Sequence, residues 1–505
     1  MHTEDVKERM QAKLRDVLDE VGDRLNDIVT EAVDEGIESI ANFGAVRNNA
    51  GDTFHMDKRK TQRSEKLAEK HFKTRNSLLT DLFNEDRHIK AAYNIWLIIL
   101  CLLFLHTISH DLIENGTMEI GIMTISTGLA QFAQVIKIWF FMTLLSFTVY
   151  GFHSFWAHQR LKFQPKSMVL KVWDYTWLSL SIAYQSAFLF FPARAVFLAN
   201  FPPPCALIIT MEQMRMMMKI HAFVRSTSSR VISHKLHTEG KKMNFPRFSK
   251  FLYFMFAPTL VYRDNYPSTK TIRWSFVISN FRDVIYISFF IAFLYERFIF
   301  PTYRDWGRNS VSVRGFAPKY FNSVLPALGM YLCGFYCLLH AWSNAWAELL
   351  KFGDRLFYKD WWTATSLEIY FRKWNVIVHD WLYTYLYKDF YEIIVPGNKY
   401  VASFMVFAIS SIFHEYILSV SFRLFYPMMF VLFMGTGYPL VYVTRKTSVL
   451  GNLFLWFLLV FGNAILLSFY SIEYFARMNC PEYGDVILDL FMPKSFFCNN
   501  TNFAN

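Results

Sequence analysis

The stretch that decides the fold is Val401-Ala-Ser-Phe-Met-Val-Phe-Ala-Ile-Ser-Ser-Ile-Phe-His-Glu-Tyr-Ile-Leu-Ser-Val420. It is apolar over the length of about 20 residues that a helix needs to cross a bilayer, and its exceptions are His414 and Glu415. An ionisable residue at membrane depth costs roughly 3 kcal/mol or more, so it marks a functional site by default. The stretch therefore predicts a membrane-spanning helix that carries a functional histidine.

The rest of the chain has a composition that agrees with this interpretation. Of its 505 residues, 53% are hydrophobic, 19% are aromatic and only 18% are charged. The hydrophobic runs predict an all-α polytopic membrane protein of about nine spans. Their centres lie near residues 100, 142, 182, 203, 287, 333, 410, 433 and 461. The hydrophobic run centred near residue 203 indicates a span least clearly, because three prolines at 202–204 interrupt it.

Charges in the loops predict the orientation of the spans. The net charge is +11, and twelve Lys or Arg residues lie between residues 211 and 273, whereas residues 110–120 contain none. Such an excess indicates cytosolic loops rather than nucleic-acid binding, so no nucleic-acid partner is expected. With nine spans the N-terminus is cytosolic and the C-terminus is on the far side. The basic loop 301–320 does not fit this assignment.

Three regions are predicted along the chain. Residues 1–41 form an amphipathic helix, in which apolar residues from Leu14 to Ala32 recur at 3–4 spacing. This pattern favours a short coiled coil and a homo-oligomer; the alternative is a helix that lies on the membrane surface. Residues 42–90 are a linker and a cytosolic pre-membrane segment. Residues 91–505 form the transmembrane domain with its C-terminal tail.

Several familiar catalytic patterns are missing from the sequence. It contains no Gly-x-Ser-x-Gly elbow, and no Cys-x-x-Cys or His-Glu-x-x-His motif. A serine nucleophile and a zinc site are therefore not predicted. No metal and no permanently bound cofactor is expected.

Three segments together resemble the signature segments of one enzyme family. They are Phe357-Tyr-Lys-Asp-Trp-Trp362, Trp374-Asn-Val-Ile-Val-His-Asp-Trp-Leu-Tyr383 and His414-Glu-Tyr416. They are similar to those of the sterol O-acyltransferases, the acyl-CoA:cholesterol acyltransferases of the membrane-bound O-acyltransferase superfamily. The resemblance covers about residues 77–498. It implies a helical bundle with a buried reaction chamber, in the endoplasmic reticulum membrane, that transfers a fatty acyl group from acyl-CoA to a sterol.

The alternatives to this activity differ in how well they explain the motifs. The related diacylglycerol acyltransferases typically have Pro-Val-His-Lys-Trp where this chain has Ile377-Val-His-Asp-Trp381, which favours a sterol as the acceptor. Acylation of diacylglycerol or another long-chain alcohol is the alternative reaction. A sterol transporter or receptor with a buried histidine is the alternative class, but it does not explain the other two segments.

The resemblance also implies a role for individual residues. His414 is the predicted general base, because a neutral imidazole with a pKa near 6.5 can remove the proton of an acceptor hydroxyl. Asn375 is predicted to stabilise the developing oxyanion. Their alternatives are a structural histidine and a helix-packing asparagine. Residues expected at the acyl-CoA are Phe371, Arg372, Trp374, His379, Tyr387, Lys399 and Ser410, although each could be an ordinary loop residue at lipid headgroups.

Two residues of the predicted site depart from the family pattern. The motif residues are Phe357, Tyr358, Asp360, Trp361, Trp362 and Thr363, and Thr363 stands where the family usually has Asn. Phe371 stands where the family often has Tyr.

Cys480 and Cys498 are the only cysteines outside the predicted spans, and the family resemblance includes this pair, which implies a disulfide in the lumenal tail. The sequons at Asn115 and Asn499 fall in the two segments assigned to the lumen.

Overall fold

The computed structural model describes residues 69–116, 118, 120–234, 243–308, 313–444, 450–481 and 484–497. The chain divides into a first unit, Met1–Glu65, and a second unit, Lys66–Asn505. The first unit lies outside the described residues. The coiled coil predicted for residues 1–41 therefore stays a prediction, as does the linker over most of residues 42–90.

The regular secondary structure in the described part of the second unit is helical, with two isolated β-bridges between Arg75 and Asp354 and between Ser268 and Phe352. Within the described ranges, seven helices are long and apolar enough to span a membrane, and the all-α polytopic prediction is confirmed. These candidate spans are Arg87–Glu114, Phe132–Arg160, Met168–Leu198, Trp274–Tyr303, Gly315–Leu349, Lys399–Phe422 and Leu450–Asn479.

Seven of the nine predicted span centres lie in these helices, so the count of nine is not confirmed. Position 433 falls in the shorter apolar helix Met428–Val443. Position 203 falls where the helix Pro203–Ser233 begins, with proline in its first turn, a position at which the missing N–H costs nothing. The sequence interpretation of residues 211–233 as a loop was wrong, because they continue this 31-residue helix.

The surroundings of Lys219 show why a basic residue in this helix does not indicate a loop. Its side chain is only 1% exposed, and Nζ donates to the carbonyl oxygens of Phe254 and Ala257, each at 2.6 Å. Those carbonyls lie at the C-terminal end of the helix Phe248–Phe256, where a positive charge is stabilising. Lys219 is therefore an internal helix cap and not a loop residue.

The remaining helices are short, and several are π-helical. The five π segments are Tyr295–Ile299, Tyr336–Trp342, Tyr383–Tyr387, Phe390–Ile394 and Val431–Gly437. The short α-helices outside the candidate spans are Leu78–Glu85, Ile122–Gly128, Phe248–Phe256, Leu367–Trp374, Val376–Leu382, Met428–Phe430, Tyr438–Val443, Val486–Phe491 and Lys494–Phe497, with a 3-10 turn at Trp361–Thr363. Since π turns are frequent at functional sites, the three that lie between residues 383 and 437 draw attention to that region.

The C-terminal tail folds back against the last span. Glu473 is fully buried and accepts the backbone N–H groups of Lys494 and Ser495, each at 3.0 Å. Cys480 follows the last span directly, but Cys498 and the sequon at Asn499 lie outside the described residues. The Cys480–Cys498 disulfide is therefore not confirmed and stays a prediction.

Candidate active site

His414 lies in the second half of the helix Lys399–Phe422, which we call the site helix. Its Nδ1 is 2.7 Å from the carbonyl oxygen of Ser410 and 3.5 Å from the Ser410 hydroxyl. A carbonyl can only accept, so in the neutral imidazole the proton resides on Nδ1 and the lone pair on Nε2. The local helix geometry thus selects the tautomer in which Nε2 can act as a base.

The imidazole of His414 stacks on Phe433, with ring centroids 5.4 Å apart and 23° between the planes. Phe433 belongs to the π segment Val431–Gly437 and also contacts Phe371 at 5.2 Å and Phe407 at 5.7 Å. The ring of His414 is nevertheless exposed. Its free edge is therefore within reach of a ligand, while its face is fixed by aromatic contact.

The two neighbours of His414 in the His-Glu-Tyr motif point to other parts of the fold. Glu415 is 5% exposed and accepts hydrogen bonds from the Phe430 backbone N–H at 3.0 Å and the Tyr470 hydroxyl at 2.9 Å. Tyr416 donates to the carbonyl oxygen of Leu189 at 2.8 Å. These two side chains hold neighbouring elements, so only the histidine of the motif is available for chemistry.

Asn375 sits at the break between the helices Leu367–Trp374 and Val376–Leu382. Its Oδ1 accepts the Val378 N–H at 3.1 Å, which makes it the N-cap of the second helix. Among the described residues, its Nδ2 makes no hydrogen bond, so the amide has a donor to spare. No hydrogen bond joins Asn375 to His414 in the described part of the chain. Phe371, one turn before Asn375, reaches His414 through Phe433.

The first motif forms a buried aromatic hub beneath Asn375. Phe357, Tyr358 and Trp361 are each 1% exposed, and the Trp361 ring lies 4.6 Å from that of Trp374. The carbonyl of Phe357 accepts the Val376 N–H at 3.0 Å, directly after Asn375. Trp374, which is predicted to contact acyl-CoA, packs in this hub and stacks on Tyr331 at 4.7 Å. The motif therefore supports the asparagine.

The polar end of the first motif closes a turn. The Thr363 hydroxyl donates to the Asp360 carboxylate at 2.7 Å, and Lys373 Nζ contacts the same carboxylate at 3.0 Å. Burial raises the pKa of Asp360, but these two partners outweigh it and hold the pKa below its usual value. The carbonyl of Trp362 accepts the side-chain amide of Asn452 at 2.9 Å. The threonine that replaces the family's asparagine thus retains a side-chain hydrogen bond at this turn.

A row of four stacked rings follows Asn375, and we call it the aromatic ladder. It comprises His379, Tyr383, Tyr387 and Tyr391, whose successive centroids are 6.4, 5.7 and 5.9 Å apart. The planes of successive rings differ by only 9°, 12° and 6°. The family resemblance implied that His379 and Tyr387 lie at the acyl-CoA, but Tyr383 and Tyr391 were not predicted as site residues. Their four-residue spacing was the signal that could have found them.

Cations flank the ladder. Lys388 Nζ lies 5.4 Å from the Tyr383 ring centroid, a cation–π contact. Arg372 acts electrostatically on both Tyr383 and Tyr387 and pairs with Glu368 at 2.7 Å, yet its side chain is 65% exposed. Lys399 is exposed at the start of the site helix, 5.7 Å from the ring of Tyr400. Exposed cations beside planar rings suit a ligand with phosphates and an aromatic base.

The fold and the site together define a polytopic membrane protein with a histidine inside one of its candidate spans. A protein-family model, MBOAT (membrane-bound O-acyltransferase family), matches residues 169–472, which include Asn375 and His414. Mouse sterol O-acyltransferase 1 is 35% identical over 486 residues, 95% of this chain and 89% of that protein. Human sterol O-acyltransferase 2 is 31% identical over 452 residues, 87% of this chain and 82% of that protein.

The chain therefore belongs to the membrane-bound O-acyltransferase family, in its sterol O-acyltransferase branch. The family resemblance of the three sequence segments is confirmed. Rat sterol O-acyltransferase 2, 32% identical over 87% of this chain, agrees with the same assignment.

Proposed function

We propose that this protein transfers a long-chain acyl group from acyl-CoA to the hydroxyl of a sterol, giving sterol ester and free CoA. The observation that carries the mechanism is the 2.7 Å contact between His414 Nδ1 and the Ser410 carbonyl. It leaves the Nε2 lone pair of the neutral imidazole free to act as general base. Membership of the sterol O-acyltransferase branch supports the sterol as the acceptor.

The reaction needs one proton carrier. His414 Nε2 takes the proton of the sterol hydroxyl while its oxygen attacks the thioester carbonyl. The tetrahedral intermediate then expels the CoA sulfur, and the imidazolium returns the proton to the departing thiolate. General base catalysis of this kind is worth about 10² to 10⁴-fold, and a site within the bilayer excludes the water that would hydrolyse the thioester.

Asn375 supplies the second function in this proposal. Because its Oδ1 is held by the helix cap, its Nδ2 donor has a fixed direction. We assign this donor to the oxyanion of the tetrahedral intermediate, where loss of one donor costs about 3 kcal/mol. The hub around Trp361 keeps the asparagine in place through the bond between Phe357 and Val376.

The aromatic ladder and its cations are assigned to the CoA moiety. The adenine ring would stack near His379 and Tyr387, and Arg372 and Lys399 would meet the phosphates. Phe371 contributes to the aromatic wall beside His414, and Ser410 acts through the imidazole. Trp374 acts indirectly, as part of the hub.

The cellular setting follows from the same assignment. We propose the endoplasmic reticulum membrane, with acyl-CoA arriving from the cytosolic side and sterol from the lipid. The N-terminus is cytosolic and the C-terminal tail is lumenal in this proposal, with a Cys480–Cys498 disulfide. Residues 1–41 promote a homo-oligomer, a dimer or a tetramer.

The direct test uses purified protein in detergent with labelled oleoyl-CoA and, separately, cholesterol or diacylglycerol. We expect labelled sterol ester and stoichiometric CoA with cholesterol, and no ester for His414→Ala that retains its melting temperature and acyl-CoA affinity. Ester from diacylglycerol alone would establish the alternative acceptor. Sterol binding without CoA release would indicate a transporter or receptor. Normal turnover by a folded His414→Ala would exclude this residue as the base.

A further inference from the structure

A short segment that precedes the first span crosses the loops between the later helices. We call residues 69–77 the strap. Its Arg75 N–H donates to the Gly353 carbonyl at 2.9 Å, and the Arg75 carbonyl accepts the Arg355 N–H at 3.3 Å, which forms a parallel bridge. The ring of Phe72 packs against Tyr266 at 5.1 Å. Backbone pairing and an inserted ring fix the strap in register.

The strap also reaches the first ring of the aromatic ladder through two charges. Lys70 Nζ lies 2.6 Å from Oδ2 of Asp380, and their side chains are only 17% and 21% exposed. The other carboxylate oxygen, Oδ1, is 3.6 Å from His379 Nδ1. Asp380 thus has one oxygen on the strap and the other facing the ladder. The strap closes on this region so tightly that a cavity of about 20 Å³ remains beneath it, room for a single water.

The negative charge of Asp380 determines how its contact with Lys70 affects ligand binding at the aromatic ladder. Burial raises the pKa of Asp380, but His379 and Lys70 outweigh it, so the pKa lies below its usual value and the group is ionised at neutral pH. An uncompensated carboxylate beside His379 would repel an anionic ligand at the ladder. It would also be free to rotate out of its present orientation beside the imidazole. Lys70 removes both effects, because it neutralises the carboxylate and holds one of its oxygens.

We propose that Lys70 is a positioning residue for acyl-CoA, in which the strap uses Lys70 to neutralise and orient Asp380 and so presents His379 to the CoA moiety. This inference rests on the proposed function, since it takes acyl-CoA as the ligand of the ladder. Lys70 itself contacts no substrate; it acts through Asp380. The strap is therefore a part of the acyl-CoA site that is contributed from before the first span.

The test is a double-mutant cycle with a charge-matched control. Lys70→Gln should raise the KM and Kd for oleoyl-CoA about fivefold, the upper range for one partly exposed ion pair, with kcat and the sterol KM unchanged. Lys70→Gln combined with Asp380→Asn should restore both constants, because no buried carboxylate remains to be neutralised. Lys90→Gln, the same charge change at an exposed position in the first candidate span after the strap, should behave as the wild type.

Each outcome separates the inference from the proposed function. If wild-type protein makes no sterol ester, the proposed function fails, while the Kd for oleoyl-CoA, measured by calorimetry, still tests Lys70. If Lys70→Gln matches Lys90→Gln in Kd, the inference is wrong. If the double variant binds as weakly as Lys70→Gln, the lysine serves only to hold the strap, and the inference that it acts by neutralising Asp380 is also wrong.

Discussion

Glu415 offers the sharpest test of how the fold holds His414, the proposed general base. Its carboxylate accepts three hydrogen bonds: from the Phe430 backbone N–H at 3.0 Å, the Tyr470 hydroxyl at 2.9 Å and the Ser419 hydroxyl at 3.2 Å. Phe430 leads directly into the π segment that carries Phe433, the ring on which His414 stacks. Removal of the carboxylate should therefore disturb the imidazole through this segment, although Glu415 does not touch the reacting atoms.

The size of the effect can be worked from these contacts. Glu415→Ala leaves three part-buried or buried donors without this acceptor: the Phe430 N–H, the Tyr470 hydroxyl and the Ser419 hydroxyl. Each unsatisfied donor costs about 1–3 kcal/mol, and the Tyr470 hydroxyl retains the Tyr426 carbonyl at 3.1 Å. We expect a loss of about 2–3 kcal/mol in stability. Turnover should fall more than tenfold, with little change in oleoyl-CoA affinity.

The assay pairs thermal unfolding in detergent with steady-state turnover. Ser419→Ala is the matched control, because it removes one of the three donors and leaves the carboxylate on Phe430 and Tyr470. It should stay close to the wild type in both measurements. If Glu415→Ala keeps its melting temperature and kcat, or if it loses only oleoyl-CoA binding, the link from Glu415 through Phe430 to the imidazole is refuted.

Three further predictions address other parts of the chain. Asn375→Ala should lower kcat about 10²-fold with little change in the Kd for acyl-CoA; a change in Kd alone would make Asn375 a binding residue. Deletion of residues 1–41 should reduce the oligomer mass measured by light scattering and retain activity, and an unchanged mass, corrected for the deletion, would contradict the coiled coil. Non-reducing peptide mapping should recover Cys480 linked to Cys498, and labelling of either thiol from the cytosolic side of sealed microsomes would contradict both the bond and the topology.

The sequence predicted the parts of the site that depend on local pattern. An ionisable pair in an apolar run indicated the span of His414, and the family resemblance implied His379 and Tyr387, two of the four rings of the aromatic ladder. Partners distant in sequence could not be predicted in this way. Glu415 meets Tyr470 55 positions later, and Lys219 caps a helix 35 positions later. A hydropathy scan scores Lys219 as polar and so favours a loop, because the scan contains no information on the carbonyl oxygens to which the buried lysine donates.

The arrangement of the His-Glu-Tyr turn has a consequence for how substrates meet the base. Successive residues of a helix project about 100° apart. Glu415 and Tyr416 therefore form hydrogen bonds to elements on different sides of the site helix, and His414 projects in a third direction. Rotation of the helix about its axis would have to break the hydrogen bonds of both residues at once. The imidazole is thus aligned when the chain folds and not when substrate arrives. The mobile partners in each turnover are the lipid acceptor and the acyl chain, which must come to a stationary base.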